Sequence, residues 1–161
     1  MTTLPIRETR EEDIESLFDI RARTRENPIS REQLAAMGIT PASIAAGLQS
    51  GGVKGWVCLD GSRVIGFCNA DAVGGEVLVL AVLPEYEGKG IGKRVLAQAA
   101  SWLRSRGCDR IWLAANPDPS GRAYGFYRSQ GWRPTGERQT HGDEILVLEK
   151  EYPFPHPLRA R

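Results

Sequence analysis

The chain has 161 residues, a length typical of one domain with a sizeable buried core. A hydrophobic share of 41% and a charged share of 25% are ordinary for a soluble globular protein. The net charge of +1 gives no broad basic face for nucleic acid and no polybasic membrane anchor. Without a signal-peptide pattern or an apolar run of about 18 residues, we expect a cytoplasmic protein that inserts in no membrane.

The three cysteines, Cys58, Cys68 and Cys108, lie in or beside apolar segments. Their spacing matches neither a zinc site nor a disulfide framework, so no metal site is predicted. We expect them to pack as small apolar groups. Cys108 could act as a nucleophile in principle, but no histidine is near it in sequence.

The first fifty residues predict helices. Thr9-Arg-Glu-Glu12 and Ser30-Arg-Glu-Gln33 fit capping boxes, and Pro41 stands at a first helical position. We therefore expect one helix followed by two short ones. Four side chains after the first box share one helical face: Ile14, Leu17, Phe18 and Arg21.

A hairpin and a buried strand are predicted next. Residues 54–59 and 63–72 are typical of antiparallel strands, and Asp60-Gly61 between them is a strong hairpin signal. Residues 77–83 form a short, continuous apolar run that Pro84 ends. Such a run is typical of a strand buried on both faces, with Glu76 at its start.

A glycine-rich turn, Glu87-Gly-Lys-Gly-Ile-Gly-Lys93, leads into an amphipathic helix pattern that stops at Gly107. A helix start carries about half a positive charge and several unpaired N–H groups, which suit a phosphate or diphosphate. The spacing fails a P-loop, because Glu87 replaces its first glycine and Arg94 its Ser or Thr. It also fails a dinucleotide fingerprint, because Lys93 replaces the third glycine. A plain glycine turn before a core helix stays open.

The last third of the chain predicts a strand, a helix and two further strands. Residues 110–114 form another short apolar run, and Asn116-Pro-Asp-Pro119 is a turn. Asp118 or Ser120 could cap the following helix, which Gly131 would end. Residues 133–138 and 144–150 are expected to be strands. The proline-rich residues 152–157 are expected to be extended.

Two segments resemble the motifs of the GNAT superfamily of N-acetyltransferases. Glu87-Gly-Lys-Gly-Ile-Gly92 is similar to the family's coenzyme A loop, Q/R-x-x-G-x-G/A, and departs from it at Glu87. Residues 120–132 are similar to the second motif, with Ser120 in place of the usual Asn. Five residues match that motif in order and spacing: Ala123, Phe126, Tyr127, Gly131 and Trp132.

The resemblance implies an α/β (α+β) fold with a mixed, mostly antiparallel central sheet flanked by helices. The glycine-rich loop would join strand 4 to the long helix. The resemblance also implies a single domain over residues 1–161, with residues 151–161 as an extended tail. Its expected activity is direct transfer of the acetyl group of acetyl-CoA to a primary amine of a small molecule or peptide. A homodimer, transfer of a longer acyl group and a non-catalytic acyl-CoA sensor all stay open.

The same resemblance implies two catalytic residues. Tyr127 would protonate the departing thiolate, because a phenol with a pKa of about 10 stays protonated until a basic thiolate forms beside it. Glu76 would accept a proton from the acceptor ammonium. Each residue also has a plain structural explanation. The tyrosine would serve in packing, and the glutamate would be a solvated charge at a strand end.

Donor binding is expected along the strand and the loop. Backbone amides of residues 88–93 would bind the diphosphate, and the strand edge at 80–82 would pair with the pantetheine arm. An N–H near Ala81 or Val82 would stabilise the thioester oxyanion. The full set of candidate coenzyme A-binding residues is Leu80, Ala81, Val82, Glu87, Gly88, Lys89, Gly90, Ile91, Gly92, Lys93, Asn116 and Ser120. For Asn116, a turn role stays open.

The acceptor is not identified by the sequence. In the family, specificity lies in variable segments, which here correspond to residues 21–50 and 140–144. The first of these segments contains four arginines, which hint at an acceptor with a carboxylate or phosphate: Arg21, Arg23, Arg25 and Arg31. A solvated basic face is the simpler explanation.

Overall fold

Seven strands form one sheet in the computed structural model, which describes residues 3–149. They are β1 (Ile6–Glu8), β2 (Val53–Asp60), β3 (Arg63–Asp71), β4 (Glu76–Val82), β5 (Arg110–Ala115), β6 (Arg133–Arg138) and β7 (Glu144–Glu149). Their order across the sheet is β1-β2-β3-β4-β5-β7-β6. All neighbours are antiparallel except β4 and β5. The predicted mixed, mostly antiparallel sheet is confirmed, and the predicted hairpin at Asp60-Gly61 joins β2 to β3.

The described part of the chain contains five α-helices. They are α1 (Ile14–Arg23), α2 (Arg31–Ala36), α3 (Pro41–Ser50), α4 (Ile91–Ser105) and α5 (Arg122–Ser129). None of them is long and apolar enough to cross a bilayer. The expected cytoplasmic location stays a prediction. The expected strand end at Lys150 and the proline-rich tail lie outside the described residues.

Local capping explains two of the three helix starts near the N-terminus. The Gln33 N–H donates to Ser30 Oγ at 3.1 Å, and the Ser43 N–H donates to Thr40 Oγ1 at 3.1 Å. Both predicted starts are confirmed. The box expected at residues 9–12 is wrong, because the Thr9 N–H pairs with the Gly55 carbonyl of β2 at 2.8 Å and extends the sheet. The chain turns one residue later, where buried Asp13 accepts from the Arg10 N–H at 2.7 Å.

The long helix α4 packs on the sheet with one apolar face. Its buried side chains Val95, Leu96, Ala99 and Leu103 join the main core with β2, β3 and β5 residues. Gly107 follows the helix with a φ of 91°, so the predicted C-terminal stop is confirmed. Burial of this face fixes where the first turn of α4 lies relative to the end of β4.

The strand β4 is less buried than its sequence predicts. In the β3–β4 pairing Val77 faces Ala70 and Val79 faces Asn69, which leaves Leu78 as the extra residue of a bulge. Leu78 is 43% exposed, so the prediction of a strand buried on both faces is wrong. The physical reason is the bulge, which leaves Leu78 unpaired with β3 and outside the regular alternation of the strand.

Candidate functional site

The loop between β4 and α4 presents a row of unpaired amides. Gly88 and Gly90 adopt φ angles of 76° and 79°, a left-handed conformation that favours glycine. Within residues 3–149, the N–H groups of residues 88–93 have no acceptor, whereas the Arg94 N–H donates to the Gly90 carbonyl at 3.2 Å. Since these amides stand at the start of α4, the helix dipole adds positive charge to the same place. The arrangement suits an anion with several oxygens.

A gap opens between β4 and β5 beside this loop. The two strands are paired only at Glu76 and Trp112, where the Trp112 N–H donates to the Gly75 carbonyl at 3.0 Å. Further along, the described residues form no other β4–β5 pair. The β4 edge is therefore open toward its end.

Alternation along the strand determines which backbone groups face the gap. The Leu83 N–H donates to the Ile65 carbonyl of β3 at 2.9 Å. Since successive residues point to opposite sides, Leu80 and Val82 direct their N–H and C=O groups away from β3 and into the gap. Ala81 directs its backbone groups toward β3. Of the two residues considered for the oxyanion, Val82 is the one with an N–H facing the gap.

Tyr127 lies on α5 close to this open edge. Its ring packs edge-on against Phe126 and Trp132, with centroid distances of 5.2 Å and 6.2 Å. Burial raises the pKa of the phenol, the Cys68 thiol raises it further, and the Arg21 guanidinium opposes both effects. Since Cys68 is the β3 partner of Leu80, the phenol lies within electrostatic reach of the middle of β4. A phenol in this environment stays protonated at neutral pH.

Glu76 stands at the start of β4, where β3, β4 and β5 are paired. It is half-buried, and its neighbours across the sheet are Asp71 and Trp112. Burial raises the pKa of its carboxyl group, and the charge of Asp71 raises it further. Leu80 lies four positions after Glu76, which corresponds to about 13 Å along a strand. Glu76 therefore lies at the paired end of the gap, away from the part of β4 that neighbours Cys68.

The carboxylate of Glu87 is held by two arginines. It pairs with Arg25 Nε at 3.0 Å and with Arg122 Nη1 at 3.1 Å, and its side chain is 14% exposed. These ion pairs neutralise the acidic residue at the motif's first position, which otherwise would repel a diphosphate. They also link the segment after α1, the loop and the start of α5. No local sequence pattern indicates this role of Arg122, because its partner Glu87 lies far away in the chain.

A glutamate from a distant segment caps α5. The Arg122 N–H donates to both carboxylate oxygens of Glu26, at 3.2 Å and 3.1 Å. The predicted cap by Asp118 or Ser120 is wrong. Asp118 Oδ1 instead accepts from the Ser120 N–H at 3.0 Å and from its hydroxyl at 2.8 Å.

The Asn116 and Ser120 side chains are both engaged within this turn. Asn116 is exposed, and its Oδ1 accepts from the Asp118 N–H at 2.9 Å. The Ser120 hydroxyl donates to the Asp118 carboxylate. The turn role that stayed open for Asn116 is thus present, and contact of either residue with a donor stays a prediction.

The cysteines pack as expected. Cys58 and Cys68 are fully buried in the main core, and burial raises the pKa of both thiols. The half-buried Cys108 directs its thiol at the Ala72 carbonyl, at 3.5 Å. Across residues 3–149, no group of three or more His, Cys, Asp or Glu side chains is placed to hold a metal ion.

We expect Glu87→Ala to destabilise the protein by about 1 kcal/mol, because two arginines lose their shared carboxylate next to a partly buried site. For a chain of this size, that loss lowers Tm by about 2–4 °C. Thermal unfolding measures the change. Glu85→Ala is the matched control, because Glu85 is 57% exposed and pairs only loosely with Arg63, at 3.6 Å. Equal effects of the two substitutions would contradict a structural role for the Glu87 pairs.

Comparison with known proteins identifies a family. The model of the acetyltransferase (GNAT) family matches residues 14–132 of this chain. A ycf52-like, uncharacterised N-acetyltransferase of Prochlorococcus marinus is 36% identical over 81 residues, 47% of this chain and 43% of that protein. The mycothiol acetyltransferase of Beutenbergia cavernae is 35% identical over 72 residues, 45% of this chain and 24% of that protein. The chain thus spans less than half the length of these curated relatives.

Solved structures match over nearly the whole chain. The PaiA N-acetyltransferase of Thermoplasma acidophilum, in complex with coenzyme A, has a TM-score of 0.76 at 22% identity, covering 92% of this chain and 100% of that one. A GNAT superfamily phosphinothricin acetyltransferase of Sinorhizobium meliloti, in complex with AcCoA, has a TM-score of 0.68 at 22% identity. That match covers 92% of this chain and 89% of the other. At these identities the likeness concerns the fold.

Proposed function

Since this chain belongs to the acetyltransferase (GNAT) family, we propose that it transfers the acetyl group of acetyl-CoA directly to a primary amine. The acceptor is a small molecule or a peptide, and residues 1–161 act as one catalytic domain. One observation carries the proposal: six unpaired amides at the start of α4 lie beside an open strand edge near the Tyr127 phenol. An anion site and an extended apolar slot suit a carrier with a diphosphate at one end and a thioester at the other.

Donor binding follows from the geometry of the loop and the strand. The amides of residues 88–93 bind the diphosphate, and the exposed side chains of Lys89 and Lys93 add positive charge at the same end. The amide-bearing pantetheine arm pairs with the Leu80 backbone and the Val82 carbonyl as an added strand, which leaves the Val82 N–H for the thioester oxygen. The coenzyme A and AcCoA complexes of structurally similar proteins support this donor.

The transfer needs no covalent enzyme intermediate. The free amine attacks the thioester carbonyl, a C–N bond forms, and the Val82 N–H stabilises the oxyanion. The C–S bond then breaks, and Tyr127 gives its proton to the departing thiolate sulfur. The acylated nitrogen loses its second proton, which returns to the Tyr127 phenolate directly or through water. Glu76, directly or through water, takes the proton that the acceptor ammonium must lose. The products are the acetylated amine and coenzyme A.

We expect Glu76→Gln to lower kcat at neutral pH by about 10²–10⁴-fold, the usual contribution of a positioned base. In the wild type, activity falls as the pH drops through the raised pKa of Glu76, because the carboxylate becomes protonated. The variant regains activity as the pH rises through roughly 8–10, where free amines lose their proton without help. A pH–rate profile measures both trends. Glu85→Gln is the control, and an unchanged profile for Glu76→Gln would remove Glu76 from the mechanism.

Free-thiol release from acetyl-CoA, measured with a panel of primary amines, tests the proposed function. The expected result is thiol release that depends on the amine and is accompanied by the acetylated product. Release from a longer acyl-CoA in preference to acetyl-CoA would change the acyl group assigned. Binding of acetyl-CoA without release for any amine would indicate a non-catalytic acyl-CoA sensor instead.

A further inference from the structure

Arg21 occupies an unusual position on α1. Its buried neighbours on the helix, Leu17 and Phe18, lie four and three residues earlier, so the arginine continues the core-facing stripe. At that position the stripe would ordinarily carry another apolar residue. The Arg21 side chain is half-buried, and loss of hydration lowers the pKa of its guanidinium. The helix therefore directs a cation inward instead of into solvent.

Among residues 3–149, the surroundings of Arg21 contain the Tyr127 phenol and no anion. The phenol is the group with which the guanidinium interacts electrostatically. Within the described range, no Asp or Glu side chain pairs with Arg21, and no hydrogen bond from its side chain to the protein occurs. Loss of hydration without an anionic partner costs free energy, which a ligand carboxylate bound to Arg21 would offset.

The other arginines of this segment are either paired with a carboxylate or exposed. Arg25 pairs with Glu87, and Arg31 pairs with Glu15 at 2.6 Å. Arg23 is exposed at the surface. Arg21 is thus the member of this group that remains both partly buried and without an anion.

The donor does not supply the missing negative charge. In the proposed binding mode, its phosphates contact the amides of residues 88–93. The pantetheine arm and the thioester, which lie along Leu80 and Val82, carry no charge. The acceptor amine reacts next to Tyr127 and arrives as a cation, which Arg21 alone would repel. A negative group on the acceptor removes that repulsion and pairs with the guanidinium, whose fork of N–H donors matches a carboxylate.

We propose that Arg21 binds a carboxylate of the acceptor, so that the substrate is an amino acid or a similar amine with a nearby carboxylate. This inference rests on the proposed function, because it assumes that the amine is acetylated beside Tyr127. Arg21 acts as a specificity residue that places the amine and excludes plain polyamines.

Initial rates with matched acceptors test the proposal. The full chain and acetyl-CoA are assayed with the common L-amino acids, with their carboxamides, and with spermidine. We expect kcat/KM to be about 10- to 100-fold higher for a free acid than for its amide, as one charge-assisted pair provides. In Arg21→Gln this ratio falls to near one, whereas Arg21→Lys keeps part of it. A purely structural defect would instead lower both rates equally and leave the ratio unchanged.

Arg23→Gln is the matched control, since it removes an exposed arginine two residues away and is expected to keep the wild-type ratio. The proposal is overturned if the wild type acetylates carboxamides or spermidine as well as free acids. It is also overturned if Arg21→Gln or Arg21→Lys keeps the full preference. In either case the proposed acetyltransferase activity stands. Binding of acetyl-CoA without transfer to any of these amines would overturn this inference, whereas the proposed function fails only if no primary amine of the wider panel is acetylated.

Discussion

Tyr127→Phe is expected to lower kcat by about ten- to a thousand-fold while the Kd for coenzyme A changes little. The phenol has no hydrogen-bond partner among the described residues, so its proton is available to the leaving sulfur. Burial keeps that proton in place until a basic thiolate forms nearby. Because the ring packs against Phe126 and Trp132, phenylalanine retains the packing and removes the acid alone.

Steady-state kinetics and a calorimetric titration separate these effects. Tyr124→Phe is the matched control on the same helix, because the Tyr124 ring lies under the Arg128 guanidinium at 3.6 Å and has no proposed part in the reaction. We expect its kcat to be close to that of the wild type. Unaltered turnover in Tyr127→Phe would exclude Tyr127 as the acid.

Gly90→Val is expected to abolish measurable coenzyme A binding. Gly90 has a φ of 79°, and a left-handed conformation costs a residue with a β-carbon about 1–2 kcal/mol. No atom of the described residues lies within 4 Å of a β-carbon added there, so this part of the fold has space for the side chain. The strain is relieved by a shift of the loop, which misaligns the amides of residues 88–93, and the added isopropyl group obstructs the approach of a diphosphate.

Gly107→Val is the matched control at the opposite end of α4. Gly107 has a φ of 91° and equally open surroundings, so the backbone strain is similar while the loop is untouched. Calorimetric titration with coenzyme A measures both variants. We expect normal affinity for Gly107→Val, and normal affinity for Gly90→Val would contradict the assignment of the loop.

Short-range patterns predicted most of the fold correctly. The Asp60-Gly61 hairpin, the two caps at Ser30 and Thr40, and the amphipathic face of α4 depend on residues that are close in sequence. The errors arise where contacts between segments that are distant in sequence determine the local structure. Thr9 is drawn into the sheet by β2, and Leu78 is exposed at a bulge in the pairing of β4 with β3.

The candidate site shows the same division. Its loop glycines and its tyrosine are recognisable in the sequence because both segments resemble motifs of the family. The partners that support them are distant: Glu26 lies 96 residues from the amide that it caps, and Arg25 lies 62 residues from Glu87. No local pattern could predict these pairs. The role of Arg21 likewise follows only from the structure, because it depends on which of the neighbouring arginines pair with carboxylates.

Amide NMR of the full chain tests the central claim most directly. Titration with coenzyme A and, separately, with pantetheine, which lacks the diphosphate, compares the two halves of the donor. We predict that coenzyme A shifts the N–H resonances of residues 88–93 strongly, and that pantetheine leaves them nearly unchanged. Saturating coenzyme A that leaves these six resonances in place would contradict the account.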